Sequence, residues 1–184
     1  RRSMRKINEI FYSLQGEGFH TGTPALFIRF SGCNLKCPFC DTQHEEGRWM
    51  DDEEIWAEAA ACPARTVILT GGEPSLWIDD ALIDGLHRLG KYVCIETNGT
   101  RKVPAGIDWV TCSPKGEPVV LDRIDEVKVV FTGEEDVEVY RQLPAKQYYL
   151  QPCSCRNTEE VVDYILKHPA WRLSLQTHKW IQIR

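Results

Sequence analysis

Short apolar segments rich in β-branched and aromatic residues recur along this chain, and their spacing constrains the fold more than any other feature. Six of them have the length and composition of buried strands. They span residues 24–32, 66–72, 92–99, 109–115, 126–133 and 147–152. Because helical segments separate several of them, the pattern predicts an α/β fold with a parallel sheet and right-handed crossovers.

Helices are predicted between only some of these strands. Residues 51–62 begin with acidic side chains, which the helix dipole favours at that end. Residues 79–90 place apolar side chains on one face and finish at a glycine, a common helix C-terminal cap. Another helix is predicted near residues 135–143. A last one is predicted to start at Asn157, with Glu160 placed for a reciprocal cap.

Two features describe the end of the chain. The apolar residues that the last helix is expected to bury are Val161, Val162, Ile165 and Leu166. Pro169 then ends that helix, because proline has no backbone N–H and fits poorly in a helix interior. Residues 173–177 alternate between apolar and polar side chains, which predicts a final short strand.

Two of the strand connections, residues 100–108 and 116–125, are too short to hold a full crossover helix. The expected architecture is therefore about six parallel strands with three to four helices, which is a truncated, partial (β/α) barrel. The length fits a single domain over residues 1–184. Residues 1–3 are expected to be additions before Met4, the expected natural start.

Composition narrows the class of protein. The chain is 42% hydrophobic and 27% charged, as in ordinary globular proteins. Its net charge of −5 argues against binding to nucleic acid. No apolar run reaches the roughly 18–20 residues of a membrane span, and no secretory signal is visible. Eight cysteines in such a chain favour a cytoplasmic location and metal ligation over disulfides.

Polar and glycine-rich clusters follow five of the predicted strands. They read "GCNLKC", "GGEP", "ETNG", "SPK" and "QP" along the chain. In parallel α/β folds the carboxyl ends of the strands meet at one edge, and active sites collect there. The five clusters therefore predict one shared site.

Cys33, Cys37 and Cys40 form a C-x3-C-x2-C motif at the end of the first of these strands. A structural zinc site needs four ligands, and His44 would be a reachable fourth. The other interpretation is a [4Fe-4S] cluster, which four thiolates normally hold. Three thiolates would leave one iron open to a substrate or cofactor. The three cysteines by themselves leave both alternatives open.

The motif resembles the signature of the radical S-adenosylmethionine (SAM) superfamily, with the aromatic Phe39 just before its last cysteine. The "GGEP" segment, residues 71–74, is similar to the glycine-rich motif that binds the SAM amino group in that superfamily. Glycines allow such close approach of a ligand to the backbone. The resemblance implies that SAM chelates the open iron and yields a 5′-deoxyadenosyl radical.

A narrower resemblance covers residues 8–179, nearly the whole chain. "LQGEG", "FIRFSGCNLKCPFCDT", "TGGEP", "ETNGT", "SPK", "LQP" and "LSLQTHK" follow in the same order as in the 7-carboxy-7-deazaguanine synthase family of queuosine and deazapurine biosynthesis. This resemblance implies conversion of 6-carboxy-5,6,7,8-tetrahydropterin to 7-carboxy-7-deazaguanine with loss of ammonia. The radical would take hydrogen from C6, the ring would contract, and hydrogen would be returned so that SAM is regenerated. Mg²⁺ would assist the reaction.

The resemblance also implies roles for individual residues. The cluster ligands would be Cys33, Cys37 and Cys40, and the Thr42 hydroxyl would bind magnesium. The implied substrate contacts are Leu14, Gln15, Gly16, Glu17, Arg29, Thr97, His178 and Arg184. The implied SAM contacts are Phe39, Cys40, Asp41, Gly71, Gly72, Glu73, Gly99, Ser113, Pro114, Lys115 and Gln151. Residues 4–23 would form a substrate-binding segment, and residues 173–184 a tail over the active site.

Arg29 is notable because it interrupts an apolar strand. A buried arginine needs an anionic partner, which could be the carboxylate of the substrate or an internal salt bridge. Cys153 and Cys155 are expected to be reduced loop thiols outside the ligand set.

Two rival functions remain at this stage. Activating enzymes of glycyl-radical proteins share the cysteine motif and "GGEP", although "LQGEG", "ETNGT" and "QTHK" argue against that class. The second rival is a non-enzymatic zinc-binding module. The family resemblance further implies a homodimer and an external reductant such as flavodoxin, with no nucleic-acid or membrane partner.

Overall fold

The computed structural model describes residues 3–35 and 46–184, and the strands of these residues form one nine-stranded sheet. They are β1 (Met4–Leu14), β2 (Pro24–Phe30), β3 (Arg48–Asp51), β4 (Thr66–Gly71), β5 (Tyr92–Thr97), β6 (Trp109–Cys112), β7 (Glu126–Phe131), β8 (Gln147–Pro152) and β9 (Arg172–Leu173). Their order across the sheet is β3-β1-β2-β4-β5-β6-β7-β8-β9.

Pairing is parallel from β2 through β9, and the six predicted parallel strands are all present. The short β9 adds a seventh. Strand β6 ends at Cys112, earlier than predicted. Strand β1 was not predicted from the sequence; it pairs antiparallel with both β2 and β3, and β3 is the edge strand on that side of the sheet.

Four α-helices lie in the described residues: α1 (Asp52–Ala61), α2 (Asp80–Arg88), α3 (Thr158–Lys167) and the one-turn α4 (Thr177–Trp180). Asp51 and Glu54 form a reciprocal capping box at the start of α1. Gly90 follows α2 with a φ of 77°, a left-handed conformation that favours glycine and ends the helix. None of these helices is long and apolar enough to cross a bilayer.

No helix joins β5 to β6 or β6 to β7, and the structure describes both connections completely. The predicted truncated α/β architecture with few helices is therefore confirmed. The predicted helix near residues 135–143 is instead a 3-10 helix over Val137–Gln142. Its buried residues, Val137 and Tyr140, are three positions apart, a spacing that places both on one side of a 3-10 turn.

Two details of α3 differ from the prediction. Asn157 makes no side-chain cap, because its Oδ1 accepts from the Cys153 N–H at 2.8 Å and its Nδ2 donates to the Phe131 carbonyl at 2.8 Å. Leu166 was expected to be buried, yet it is 76% exposed. The helix turns Val161 toward the sheet, which leaves Leu166 on the solvent side.

The predicted strand over residues 173–177 is also wrong. Pairing with β8 stops after Leu173, and the Ser174 hydroxyl turns to the side chain of Gln151 at 2.9 Å. The Thr177 N–H then donates to the carbonyl of Gly16 at 2.9 Å, where α4 begins. Contact with the N-terminal loop therefore replaces the expected strand pairing.

Helices α1 and α2 pack against each other at a position where there is no room for a side chain. A Cβ added at Gly85 in α2 would lie 2.0 Å from Cε2 of Trp56 in α1. The Trp56 ring is held there because its Nε1 donates to the Leu82 carbonyl at 3.2 Å. Glycine at this position therefore sets how closely the two helices approach.

We expect Gly85→Ala to lower the free energy of unfolding by about 1–3 kcal/mol, the usual cost of overpacking, although alanine is the better helix former. Urea unfolding of the variant measures this change. Gly106→Ala is the matched control, since its added Cβ would meet its nearest atom at an ordinary 3.7 Å. A Gly85→Ala protein as stable as the control would contradict the packing.

Candidate active site

A cavity of about 270 Å³ opens at the carboxyl ends of the parallel strands. Its walls come from the loops after β2, β4, β5, β6 and β8, together with the N-terminal loop and the C-terminal tail. The sequence-predicted residues that line it are Leu14, Gln15, Glu17, Arg29, Cys33, Gly71, Gly72, Glu73, Thr97, Ser113, Lys115, Gln151, His178 and Arg184. Segments that are far apart in sequence therefore share one site.

Some predicted site residues do not line this cavity. These are Gly16, Gly99 and Pro114, and each of them is adjacent in sequence to a residue that does line it. The other predicted residues lie outside the described part of the chain: they are Cys37, Phe39, Cys40, Asp41 and Thr42, together with His44 of the zinc alternative. Cys33 is thus the one predicted cluster ligand within the described residues, and it lines the cavity.

The loops that follow β2 and β4 touch each other through their backbones. A Cβ on Gly72 would lie 1.9 Å from the carbonyl oxygen of Gly32. The N–H of Glu73 donates to the same oxygen at 2.9 Å. Only glycine allows this approach, which brings the segment of Cys33 beside the "GGEP" segment.

The carboxylate of Glu73 joins two segments of the cavity wall, its own loop after β4 and the end of β5. Its Oε2 accepts from the Thr97 hydroxyl at 2.6 Å and from the Ser75 N–H at 3.1 Å. Its Oε1 accepts from the Asn98 N–H at 2.8 Å. Two residues predicted to contact different ligands, Glu73 and Thr97, are therefore bonded to each other through their side chains.

Arg29 has a protein partner and also faces the cavity. Its Nε donates to Oε1 of Glu9 at 3.1 Å, and its side chain is 26% exposed. The guanidinium of Arg184 contacts the other oxygen of Glu9 and lies 4.7 Å from the centre of the Phe11 ring. One carboxylate on β1 thus orients an arginine from β2 and an arginine from the tail.

The N-terminal loop is held to the sheet by a polar network. Gln15 donates through Nε2 to Oε1 of Glu96 at 3.1 Å. Oε1 of Glu17 accepts from Nε2 of Gln151 at 2.6 Å. The buried Lys128 of β7 lies between the two carboxylates, with its Nζ 3.2 Å from Oε1 of Glu96 and 3.4 Å from Oε1 of Glu17.

Glu9, Glu96 and Lys128 were not predicted from the sequence, and neither were the lining residues Thr70, Asn98 and Gln176. Cys153, expected close to the site, lines the cavity. Glu96 directly precedes Thr97 in a motif that was identified, and Lys128 is a charge inside an apolar strand, the same signal that singled out Arg29. Glu9 carried no comparable signal because β1 was not identified. Cys153 and Cys155 are free thiols, as expected.

Comparison with known proteins agrees with these features. The profile of the radical SAM superfamily matches residues 27–131. The 7-carboxy-7-deazaguanine synthase of Bacteroides thetaiotaomicron is 71% identical over 182 residues, covering 98% of this chain and 100% of that protein. That of Bordetella pertussis is 42% identical over 205 residues, covering 96% and 98%. The crystal structure of QueE from Escherichia coli superposes with a TM-score of 0.80 and 32% identity, covering 95% of each chain.

The fold, the cysteine motif and the family profile define a radical SAM protein. Within that superfamily, the chain belongs to the family of 7-carboxy-7-deazaguanine synthases. This membership decides against the zinc module and the glycyl-radical activating enzyme. Radical SAM proteins use a [4Fe-4S] cluster and SAM.

We expect Glu73→Gln to destabilise the cavity wall, because an amide NH₂ would replace one acceptor oxygen and face N–H or O–H donors. The free energy of unfolding should fall by about 1–3 kcal/mol, the cost of leaving a buried donor unsatisfied. Urea unfolding measures the change. Glu117→Gln, on an exposed loop, is the control and should have no comparable effect. Equal stability of the two variants would show that the Glu73 carboxylate does not connect these segments.

Proposed function

We propose that this protein converts 6-carboxy-5,6,7,8-tetrahydropterin to 7-carboxy-7-deazaguanine with loss of ammonia. The observation that carries the proposal is the shared cavity, which gathers the family motifs "LQGEG", "GGEP", "ETNG", "SPK", "LQP" and "QTHK" in a chain 71% identical to a synthase of this name. A cavity of about 270 Å³ with convergent charged groups suits a small polar ring system.

The residues present fit the cofactors of the superfamily. Cys33, Gly71 and Gly72 all line the cavity, and the two glycines place no side chain between their backbone and a ligand. We propose that Cys33, Cys37 and Cys40 hold the cluster. When bound, the cluster and SAM supply the radical that takes hydrogen from C6 of the substrate. Lining residues proposed to hold SAM are Gly71, Gly72, Ser113 and Lys115.

The polar walls fit the two ends of the proposed substrate. Arg29 carries a positive charge to the cavity and would bind the substrate carboxylate, with Glu9 fixing its orientation. Gln15, Glu17 and Glu96 offer amide and carboxylate acceptors for the amino and N–H donors of the pterin ring. The resemblance implied a SAM contact for Gln151, but its amide bonds both Glu17 and Ser174, and we propose that it fixes this wall.

Magnesium and the partners belong to the proposal as well. The Thr42 hydroxyl is proposed to bind Mg²⁺, with waters and the substrate carboxylate completing the octahedron. We also propose a cytoplasmic homodimer reduced by an external protein such as flavodoxin. Trp180 and Ile181, which are 55% and 54% exposed on the tail, offer apolar area for a subunit contact.

An anaerobic turnover assay tests the proposal. Protein with reconstituted cluster is supplied with SAM, a reductant, Mg²⁺ and carboxytetrahydropterin, and deazaguanine formation is followed by its absorbance and by mass spectrometry. We expect one ammonia per deazaguanine, SAM that is not consumed, and a lower rate without Mg²⁺. No deazaguanine, or SAM consumption that requires a protein substrate, would reject the proposal.

We expect Arg29→Met to raise KM for carboxytetrahydropterin about tenfold to hundredfold, because a hydrogen-bonded charge partner of the carboxylate is lost. Steady-state kinetics at saturating SAM measure the change. Arg48→Met is the control, since Arg48 is 65% exposed and pairs with Glu58 at 3.7 Å on the surface. An unchanged KM in Arg29→Met would mean that Arg29 serves only its ion pair with Glu9.

A further inference from the structure

A buried cation lies behind the wall of the cavity that carries Glu17 and Glu96. Lys128 is in the middle of β7, and its side chain is 5% exposed. It does not line the cavity, whereas both carboxylates that it contacts do. Its neighbours in β7 are mainly apolar, so the strand itself does not require a charge at this position.

We infer that Lys128 is a positioning residue of the proposed reaction, which holds the carboxylates of Glu17 and Glu96 in place as acceptors for the substrate ring. This inference rests on the proposed function and extends it to a residue that does not touch the substrate. Lys128 is in β7, Glu17 is in the N-terminal loop, and Glu96 is near the end of β5, so one lysine contacts carboxylates from two other segments.

The contacts show how one ammonium can orient two acceptors. Lys128 Nζ donates to Oε1 of Glu96 at 3.2 Å and pairs with Oε1 of Glu17 at 3.4 Å. Gln15 adds a bond to the same Glu96 oxygen at 3.1 Å, and Gln151 adds one to the same Glu17 oxygen at 2.6 Å. Since a carboxylate offers about four acceptor positions, each retains capacity for substrate donors.

The charges of Lys128 and Glu96 stabilise each other. Burial raises the pKa of Glu96, but the charge and hydrogen bond of Lys128, with smaller contributions from Gln15 and Arg29, outweigh it and lower that pKa below its usual value. Burial lowers the pKa of Lys128, but Glu17, Glu96 and Glu126 outweigh it and raise that pKa. The pair is therefore charged at neutral pH.

The thiol of Cys94 on the same strand also interacts with Glu96, but burial raises the pKa of this thiol, so it stays neutral. Glu126 is occupied elsewhere, since it accepts from the Thr111 hydroxyl at 2.7 Å and from the Phe19 N–H at 3.0 Å. Without the ammonium, Glu17 and Glu96, whose side chains are 18% and 21% exposed, would share one wall of the cavity, and Arg29 would be the described cation that still lowers the pKa of Glu96. The partly buried Glu96 would then take up a proton at a higher pH.

Apolar residues of similar volume often replace a buried ion pair without loss of stability. A lysine among three carboxylates behind the cavity wall is therefore better explained by the site than by the fold. A protonated Glu96 would present an O–H donor to a ring edge that needs an acceptor. Lys128 keeps the acceptor form available as the pH falls.

The test compares Lys128→Met and Lys128→Gln with wild type and with Lys102→Met, an exposed lysine that pairs with Asp122. Each protein with reconstituted cluster is assayed across acidic to neutral pH. Substrate binding is also measured by calorimetry without SAM. We expect KM to rise about tenfold to hundredfold, the range for lost hydrogen bonds to charged groups, with a smaller change in kcat.

The pH dependence separates positioning from a structural role. Because the pKa of Glu96 rises when the cation is lost, the acid limb of kcat/KM and of binding should move to higher pH in both variants. Lys128→Arg should restore it by restoring the charge. An unchanged acid limb in a folded Met or Gln variant would overturn the inference. The inference would also be overturned if Lys128→Met and Lys128→Gln both failed to fold while Lys128→Arg folded, because the charge of Lys128 would then be needed for folding.

The two proposals can fail separately. Suppose that wild type and Lys102→Met turn over and the Lys128 variants keep a normal KM and pH dependence. That result would reject the role of Lys128 and leave the proposed function standing. Absence of turnover by wild type would reject the proposed function and, with it, this inference.

Discussion

Parallel strand pairing is the constraint on which the site of this protein depends. Every pairing in the run β2-β4-β5-β6-β7-β8-β9 is parallel, so the carboxyl ends of these strands lie along one edge of the sheet. The loops that leave that edge must pass close to each other. The backbone contact of Gly72 with Gly32 and the bonds of Glu73 to the next loop are direct results of this arrangement.

The cavity is completed by both ends of the described chain. Strand β1 adds antiparallel pairing to the side of β2, and the loop after it brings Gln15 and Glu17 to the carboxyl edge. The tail then reaches this loop through the bond from the Thr177 N–H to the Gly16 carbonyl, and the Ser174 hydroxyl accepts from the Gly18 N–H at 2.9 Å. An open sheet with few helices leaves room for these segments.

Charges in the site are arranged in alternating sign, although the chain as a whole is acidic. Glu9 lies between two arginines, and Lys128 lies between two carboxylates. Burial makes an unpaired charge costly, and among these groups the contact between Lys128 and Glu96 outweighs that cost, lowering the pKa of Glu96 and raising that of Lys128. The two sets present opposite charge to the cavity, a positive one at Arg29 and a negative one at Glu17 and Glu96. Such a surface can orient a ring that has a carboxylate at one end and N–H donors at the other.

Much of this protein could be predicted from its sequence by local rules. Strands β2, β4, β5, β7 and β8 and helices α1 and α2 were predicted because hydrophobic period, capping residues and glycines are local signals. The shared site followed from the motifs at the strand ends, and the family followed from the order of those motifs.

Only the tertiary structure decided the rest. The tail contacts the N-terminal loop instead of forming the predicted strand. Leu166 is exposed because α3 turns Val161 toward the sheet. The ion-pair partners of Lys128 and Glu9 likewise could not be predicted from the sequence, because the residues of this site are far apart along the chain. The bond from Gln151 to Glu17, for example, joins residues 134 positions apart. Local sequence determines which segments form strands and helices, but the pairing of buried charges depends on how those segments pack in three dimensions.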